Sequence, residues 1–317
     1  MGTKFDDLKV ALVIDDLIHR DFGIEVFEII LGLFPKSTIF TLTHQEGSIL
    51  GPIEQHRIVS SFLTHKIKDK GDWAKHQYLV PSACKQLVIP CHFDLCIRFS
   101  RGFAHRVEIC EGIAVLDYFF DTSRLELESL YFRQRIFKSF VESFSKKLKS
   151  SSRKIQLFSN PIVKDFYKNA DGIIAWPGID TNEYKELPAS FQSDDYVIVD
   201  SNLISQRTDS EAFLKENNLD SKTTYWYGED KGFKENFLGR KCAGELVPIL
   251  AKTKKVFTSL EPEFSDLYLK AKACNVSTVL RGEFDPIDQL DQSGLKRHFL
   301  QSVSKLMNKA SSSVQTS

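Results

Sequence analysis

The sequence predicts an α/β protein of two doubly wound halves in tandem, and three observations carry that expectation. Short apolar runs alternate with segments whose apolar residues recur at helical spacing, beginning with residues 9–14 (KVALVI) and then Val26, Phe27, Ile30 and Leu33. The alternation pauses over a polar stretch, residues 180–195, and resumes at Tyr196. A chain of 317 residues with 42% hydrophobic content is long enough for two ordinary domains with a core in each.

In the first half, residues 9–14 read as a parallel strand buried on both faces, with Asp15 and Asp16 at its carboxyl end. A turn through His19, Asp21 and Gly23 leads into the first helix, which Pro35 ends. Residues 37–42 and 58–63 read as further strands. Residues 73–88 read as a helix that Pro81 kinks or splits. Strands follow at 93–99 and 112–119, with Asp117 near the end of the second. A long helix over 125–148 gathers Lys146, Lys147 and Lys149 at its end, where they suit the helix dipole; a solvated face is the favoured reading over a membrane-contacting patch. Residues 155–158 form a strand, Asn160 caps a helix opened by Pro161, and residues 173–176 form another strand.

The second half reads as strands at 196–200, 223–227 (closed by Gly228), 255–259 and 277–280. Helices fall at 209–215 and 242–251 and from Glu263 onward. The strand at 255–259 enters a turn, Ser259-Leu260-Glu261-Pro262, that opens the last of these. Strand-to-helix turns of this kind lie where ligands bind in α/β sheets, and a helix start offers free amides to an anion such as a diphosphate. Leu295, Phe299, Val303 and Leu306 mark a C-terminal helix, and the Ser-rich tail reads as disordered.

The composition narrows the function. Basic and acidic residues balance at 42 each, which disfavours nucleic acid as a partner. No GxGxxG follows the first strand, so an ordinary NAD fingerprint is absent. The six cysteines form no CxxC pair; Cys91, His92 and Cys96 lack a second ligand pair, so no metal is expected, and reduced cysteines in a cytosolic core are. There is no apolar leader and no run of the roughly 20 residues that span a bilayer. His19, His92 and His105 have no metal-ligand spacing, and Trp176 and Trp226 read as core aromatics.

Four segments, taken in order, look like a known pattern: VALVIDDLIHRDFGIEVFEIILGLFPKSTIFTLTH, FDLCIRFSRGFAHRV, FSNPIVKDFYKNADGIIAWPGIDTNEY and ENFLGRKCAGELVPILAKTKKVFTSLEPEFSDL. The chain resembles, over nearly its whole length, the retaining glycosyltransferases of the two-Rossmann-domain (GT-B) type, family four. The resemblance implies two Rossmann-like domains facing across a cleft, with a C-terminal helix crossing back to the first. It implies an acceptor-side domain over 1–180, a nucleotide-sugar-side domain over 181–285, the returning helix over 286–309 and a disordered tail over 310–317.

The resemblance also implies transfer of a sugar from a nucleotide-sugar donor to a glycan or lipid-linked acceptor, in cell-surface polysaccharide or glycoconjugate assembly. The protein would be cytoplasmic, with peripheral contact at the inner membrane face, and would use no cofactor beyond its donor substrate. Asp15 and Gly23 fall on the acceptor side. Arg207, Gly228, Glu263, Phe264 and Ser265 fall on the donor side, with Asp117 and Glu263 the catalytic candidates. The match departs from the family where chemistry is concentrated. Pro262 and Lys270 stand at the two donor-turn glutamates, Asn202 at one of the two diphosphate cations, and Asp117 at the histidine beneath the donor sugar. A lysine cannot accept the ribose hydrogen bond that a carboxylate accepts. These departures keep a second expectation open: a catalytically degenerate relative acting as a binding or partner subunit.

Overall fold

A computed structural model describes residues 5, 7–125, 132–148, 153–169, 171–193, 195–204, 207–228, 230–233, 236–259, 265–281 and 291–314. The chain divides into two compact units, Met1–Trp176 with Leu295–Ser317, and Pro177–Gly294. The polar stretch at 180–195, expected to link the halves, belongs to the second unit, where Ile179 and Tyr184 are buried.

In the first unit the elements run β1 (Val10–Leu17), α1 (Phe22–Leu33), β2 (Thr38–His44), β3 (Ile58–Ser60), α2 (Lys70–His76), α3 (Val80–Gln86), β4 (Leu95–Ser100), β5 (Ala114–Phe119), α4 (Phe132–Lys146), β6 (Lys154–Phe158), α5 (Pro161–Phe166) and β7 (Ile173–Ile174). Among the described residues all strand pairs are parallel, in the order β3-β2-β1-β4-β5-β6-β7. The order reverses between β1 and β4, the switch point at which open α/β sheets leave a crevice at their carboxyl ends. β1 runs further than the apolar pattern suggests: Asp15 and Asp16 lie inside the strand and are buried. Pro81 sits in the first turn of α3, where its missing N–H is harmless, so it starts a helix rather than kinking one. The Asn160-Pro161 cap is as expected, with Asn160 accepting from the amide of Val163 at 2.9 Å.

In the second unit follow β8 (Tyr196–Asp200), α6 (Ser210–Glu216), β9 (Thr224–Tyr227), β10 (Phe237–Gly239), α7 (Ala243–Ala251), β11 (Thr253–Ser259), α8 (Asp266–Ala273) and β12 (Thr278–Arg281). Their parallel order, β10-β9-β8-β11-β12, reverses between β8 and β11. β10 was not legible as a strand. α8 begins later than expected: Ser265 caps it, accepting from the amide of Leu267, so the helix opens at Asp266 rather than Glu263.

The last helix, α9 (Gln292–Val314), belongs to the first unit for all but its first turn, and Phe299 packs edge-on against Tyr118 with ring centroids 5.3 Å apart. It continues to Val314, through the stretch expected to be disordered. Among the described residues no helix is long and apolar enough to cross a membrane.

The cysteine expectation is corrected. A parallel bridge between Ile89 and Ile109 sets the following residues side by side, and Cys91 and Cys110 form a disulfide, with Cα atoms 5.0 Å apart. Cys84, Cys96 and Cys274 are free and buried, and Cys242 is free and exposed. A pairing 19 residues apart leaves no spacing motif, so the sequence concealed it.

Candidate functional site

Each unit concentrates buried polar groups at its switch point. In the first unit these come from the ends of β1, β4 and β5. Asp15 accepts the amides of Arg101 and Phe103, each at 2.7 Å, and has no solvent exposure. Burial pushes its carboxyl up to about 7, and the neighbouring Asp16 charge adds to this against the opposing amides. Burial acts the same way on Asp16, but the Arg124 guanidinium, which donates to both its oxygens, outweighs it and holds it below the usual carboxylate range. Asp21 caps α1 through the amide of Ile24 and accepts from Arg101 Nη1 at 2.6 Å. Arg101 also donates through Nε to Asp121 at 3.0 Å, and Asp121 accepts from the amide and hydroxyl of Ser123. Arg101 and Arg124 are each about 1% exposed.

This network fastens the loops after β1, β4 and β5 to one another. Asp15, expected to meet an acceptor hydroxyl, spends both oxygens on the β4 loop. Gly23 lies inside α1, where a Cβ would stand 3.1 Å from the Arg101 guanidinium. Asp117 does not join this group. It sits mid-strand with no exposure, gripped by Arg98 (Nε 2.6 Å, Nη2 3.1 Å) and by Lys154 at 2.7 Å. Burial works to raise its pKa, and the two cations overcome it to hold the carboxyl at about 2. Asp117 is therefore an ionised ion-pair partner within the sheet.

The switch point of the second unit is built differently. Asp200 ends β8 and is 2% exposed. It accepts from the amide of Asn202 at 2.9 Å and from the hydroxyl of Thr258, on β11, at 3.3 Å. Burial pushes its carboxyl up to about 6, against hydrogen bonds from the Ser265 side chain and the Asn202 amide. Gly228 follows β9 at φ +111°, where an added Cβ would meet Ser201 Oγ at 2.9 Å; the backbone closes here as only glycine allows. Gly228 and Ser265, both singled out from sequence, thus converge on Asp200 and Ser201.

Arg240, exposed after β10, lends positive charge to both Asp200 and Asp266. Within α8, Lys270 donates to Asp266 at 2.5 Å and Tyr227 donates to the same oxygen at 3.2 Å. Lys270 is only 4% exposed. Arg207 opens a short 3₁₀ turn, Arg207–Asp209. Glu263 and Phe264 lie outside the described residues.

Asp200, Thr258, Arg240, Arg101, Arg124, Asp121 and Asp21 escaped the sequence reading. Asp200 carried a usable signal: like Asp15, it is a carboxylate closing an apolar strand at the edge of a sheet.

The sequence matches no protein-family model and no curated protein. Among solved structures, the chain is similar to Anabaena Alr3699/HepE in complex with UDP-glucose, at 13% identity and TM-score 0.51, over 95% of this chain and 91% of that one. The same Anabaena protein with UDP and glucose aligns at 12% identity and TM-score 0.51, over 96% and 92%. The apo form of WaaB, a lipopolysaccharide outer core galactosyltransferase, aligns at 12% identity and TM-score 0.49, over 95% and 91%. With its two parallel sheets, each reversing order at an internal switch point, the chain has the two-domain Rossmann-like fold of the GT-B type.

Proposed function

We propose that this protein is a glycosyltransferase that binds a nucleotide sugar in its second unit and moves the sugar to a glycan or lipid-linked acceptor. The observation that carries the reading is the convergence of Gly228, Ser265 and Asp200 at the β8/β11 switch point, in a fold shared with a protein solved with UDP-glucose. Breaking the sugar–phosphate bond builds negative charge on the leaving diphosphate, which cations and fixed N–H groups must meet. The start of α8 supplies amides, and Arg240 and Arg207 supply positive charge. The reading needs no resident metal, and the transfer would retain anomeric configuration.

Asp200 gives this reading a pH signature. A diphosphate bound beside it favours its protonated form, so donor affinity rises as pH falls from about 7 towards about 5, through its folded value of about 6. The reading places the protein in the cytoplasm, peripheral to a membrane that carries lipid-linked acceptors. The Cys91–Cys110 bridge is the observation that opposes a reducing compartment.

A second reading, a relative that binds without turnover, is favoured by Lys270. It stands where the resembling family has a carboxylate, and it is committed to Asp266. Calorimetry with a panel of nucleotide sugars, paired with a hydrolysis assay, separates the readings. Binding with release of free sugar supports the enzyme, and binding without it supports the second reading. Binding of none of them ends both. Arg207→Ala and Arg240→Ala should each weaken binding roughly tenfold or more, as loss of a charged hydrogen-bond donor does.

A further inference from the structure

Asp117 belongs to a cluster that the proposed function does not use. Arg98 and Lys154 share its one carboxylate, and their side chains are only 7% and 6% exposed. Two cations on one anion leave a surplus positive charge in a buried position, an arrangement that is costly unless a further anion completes it. Both cations line a cavity of about 390 Å³ beside the amino-terminal half of β5 and the start of β6.

Arg106 adds a third cation to the same wall. Its Nη1 donates to the carbonyl of Lys147 at 2.8 Å and its guanidinium lies 4.5 Å from the centre of the Phe144 ring, but its buried Nε has no acceptor among the described residues. Burial lowers the pKa of Arg106 and of Lys154, as expected where positive charge is under-compensated.

His105 also borders the cavity. It bridges Ser100 Oγ and the Ser145 carbonyl, and burial holds its pKa to about 3, so it is neutral. Glu108 and Glu111 are the acidic members of the lining; Glu111 is exposed and Glu108 partly so, on the side where water screens them. Val107, Ile113 and Val115 give the walls an apolar share. Cys110 stands in the rim, and its disulfide to Cys91 fixes that rim before any ligand arrives.

We infer that this cavity is a binding site for a small molecule bearing a compact oxyanion of the phosphate type, with Arg106 and Lys154 as its ligands and Arg98 behind them. The inference is independent of the nucleotide-sugar reading, because it rests on another cavity, within the first unit. Inorganic phosphate is the probe, titrated into the full chain by calorimetry.

The expected result is saturable uptake of one phosphate that weakens with added sodium chloride. Arg106→Gln and Lys154→Met should each weaken it roughly tenfold or more. UDP-glucose, titrated into the same variants, should give the isotherm it gives with the unaltered chain. Circular dichroism melts report whether Lys154→Met folds; if it does not, Arg106→Gln, on a partly exposed residue, decides alone. Absence of saturable uptake overturns the inference. Uptake equal in the unaltered chain and the variants means an adventitious ion only, and displacement of phosphate by UDP-glucose places it in the nucleotide-sugar site; either overturns it too.

Discussion

The Asp15 carboxylate takes the amide of Arg101 at 2.7 Å, joining the end of β1 to the loop after β4 across 86 positions of sequence. That carboxyl is pushed up to about 7 by burial, whereas an unfolded aspartate titrates near about 3.9. Between those values the folded state holds a proton that the unfolded state lacks. Asp15 therefore makes stability fall as pH rises from about 4 to about 7, and its effect is constant above that. Asp200, at about 6, adds to the same slope.

Asp15→Asn removes the Asp15 share and leaves the Arg101 amide facing a second donor. The variant should lose roughly 1–3 kcal/mol at about pH 5 and show a shallower decline towards about pH 7. Urea unfolding at stepped pH measures both. Identical slopes in the two proteins would show that Asp15 is already ionised in the folded state.

Gly23 tests how tightly the same network is packed. Alanine is the better helix former by about 1 kcal/mol, and Gly23 lies within α1. Its Cβ, however, would press on Arg101 at 3.1 Å and on Asp21 Oδ1 at 3.2 Å. Arg101 has no room to yield, because Asp21 and Asp121 hold it from two sides. Crowding should therefore win, and Gly23→Ala should be net destabilising by about 1–2 kcal/mol in chemical denaturation. A stabilised variant would show that the guanidinium can move.

The fold was legible because its strands are buried on both faces. An unbroken apolar run such as Val10–Ile14 can be little else, and caps such as Asn160-Pro161 carry their own chemistry. What stayed hidden depends on partners distant in sequence. Arg98 and Asp117 meet only because β4 and β5 pair in register, and Arg124 reaches Asp16 across 108 positions. Charged residues at strand ends looked like solvated surface or ligand contacts, and long-range pairing made them interior. The donor turn was located correctly in outline, but its helix starts at Asp266 because Ser265, rather than an earlier residue, satisfies the first amides. β10 was missed because Phe237–Gly239 is too short to show a period.

The disulfide makes a direct stability test. Cys91 and Cys110 close a 19-residue loop that contains β4 and the Arg101 and Phe103 amides gripping Asp15. Loop-closure entropy assigns such a bridge about 3 kcal/mol. Reduction, or Cys91→Ser with Cys110→Ser, should lower the urea midpoint accordingly, and the paired serine variant should no longer respond to reductant. If the unaltered chain unfolds alike with and without reductant, while mass analysis confirms the bond, the unfolded chain gains nothing from the loop's release.

Lys270 and Asp266 form the ion pair on which the functional question turns. Both are buried, one turn apart on α8, and Tyr227 donates to the same Asp266 oxygen. Burial raises the pKa of Asp266, and the Lys270 and Arg240 charges bring it below the usual value. Removing one member of such a pair strands a buried charge, so Lys270→Met should cost roughly 3–5 kcal/mol near neutral pH. The loss should shrink as pH falls and the stranded carboxylate takes up a proton.

Replacing both, Lys270→Met with Asp266→Asn, leaves no charge to strand and should recover most of that stability. If Lys270 serves only this pair, the double variant keeps whatever nucleotide-sugar affinity the unaltered chain has, and the departure from the family's glutamate is structural. If affinity falls in the double variant while its stability is restored, Lys270 contributes to the donor site itself. A double-mutant cycle in urea, run beside the calorimetry, reads both quantities from the same preparations.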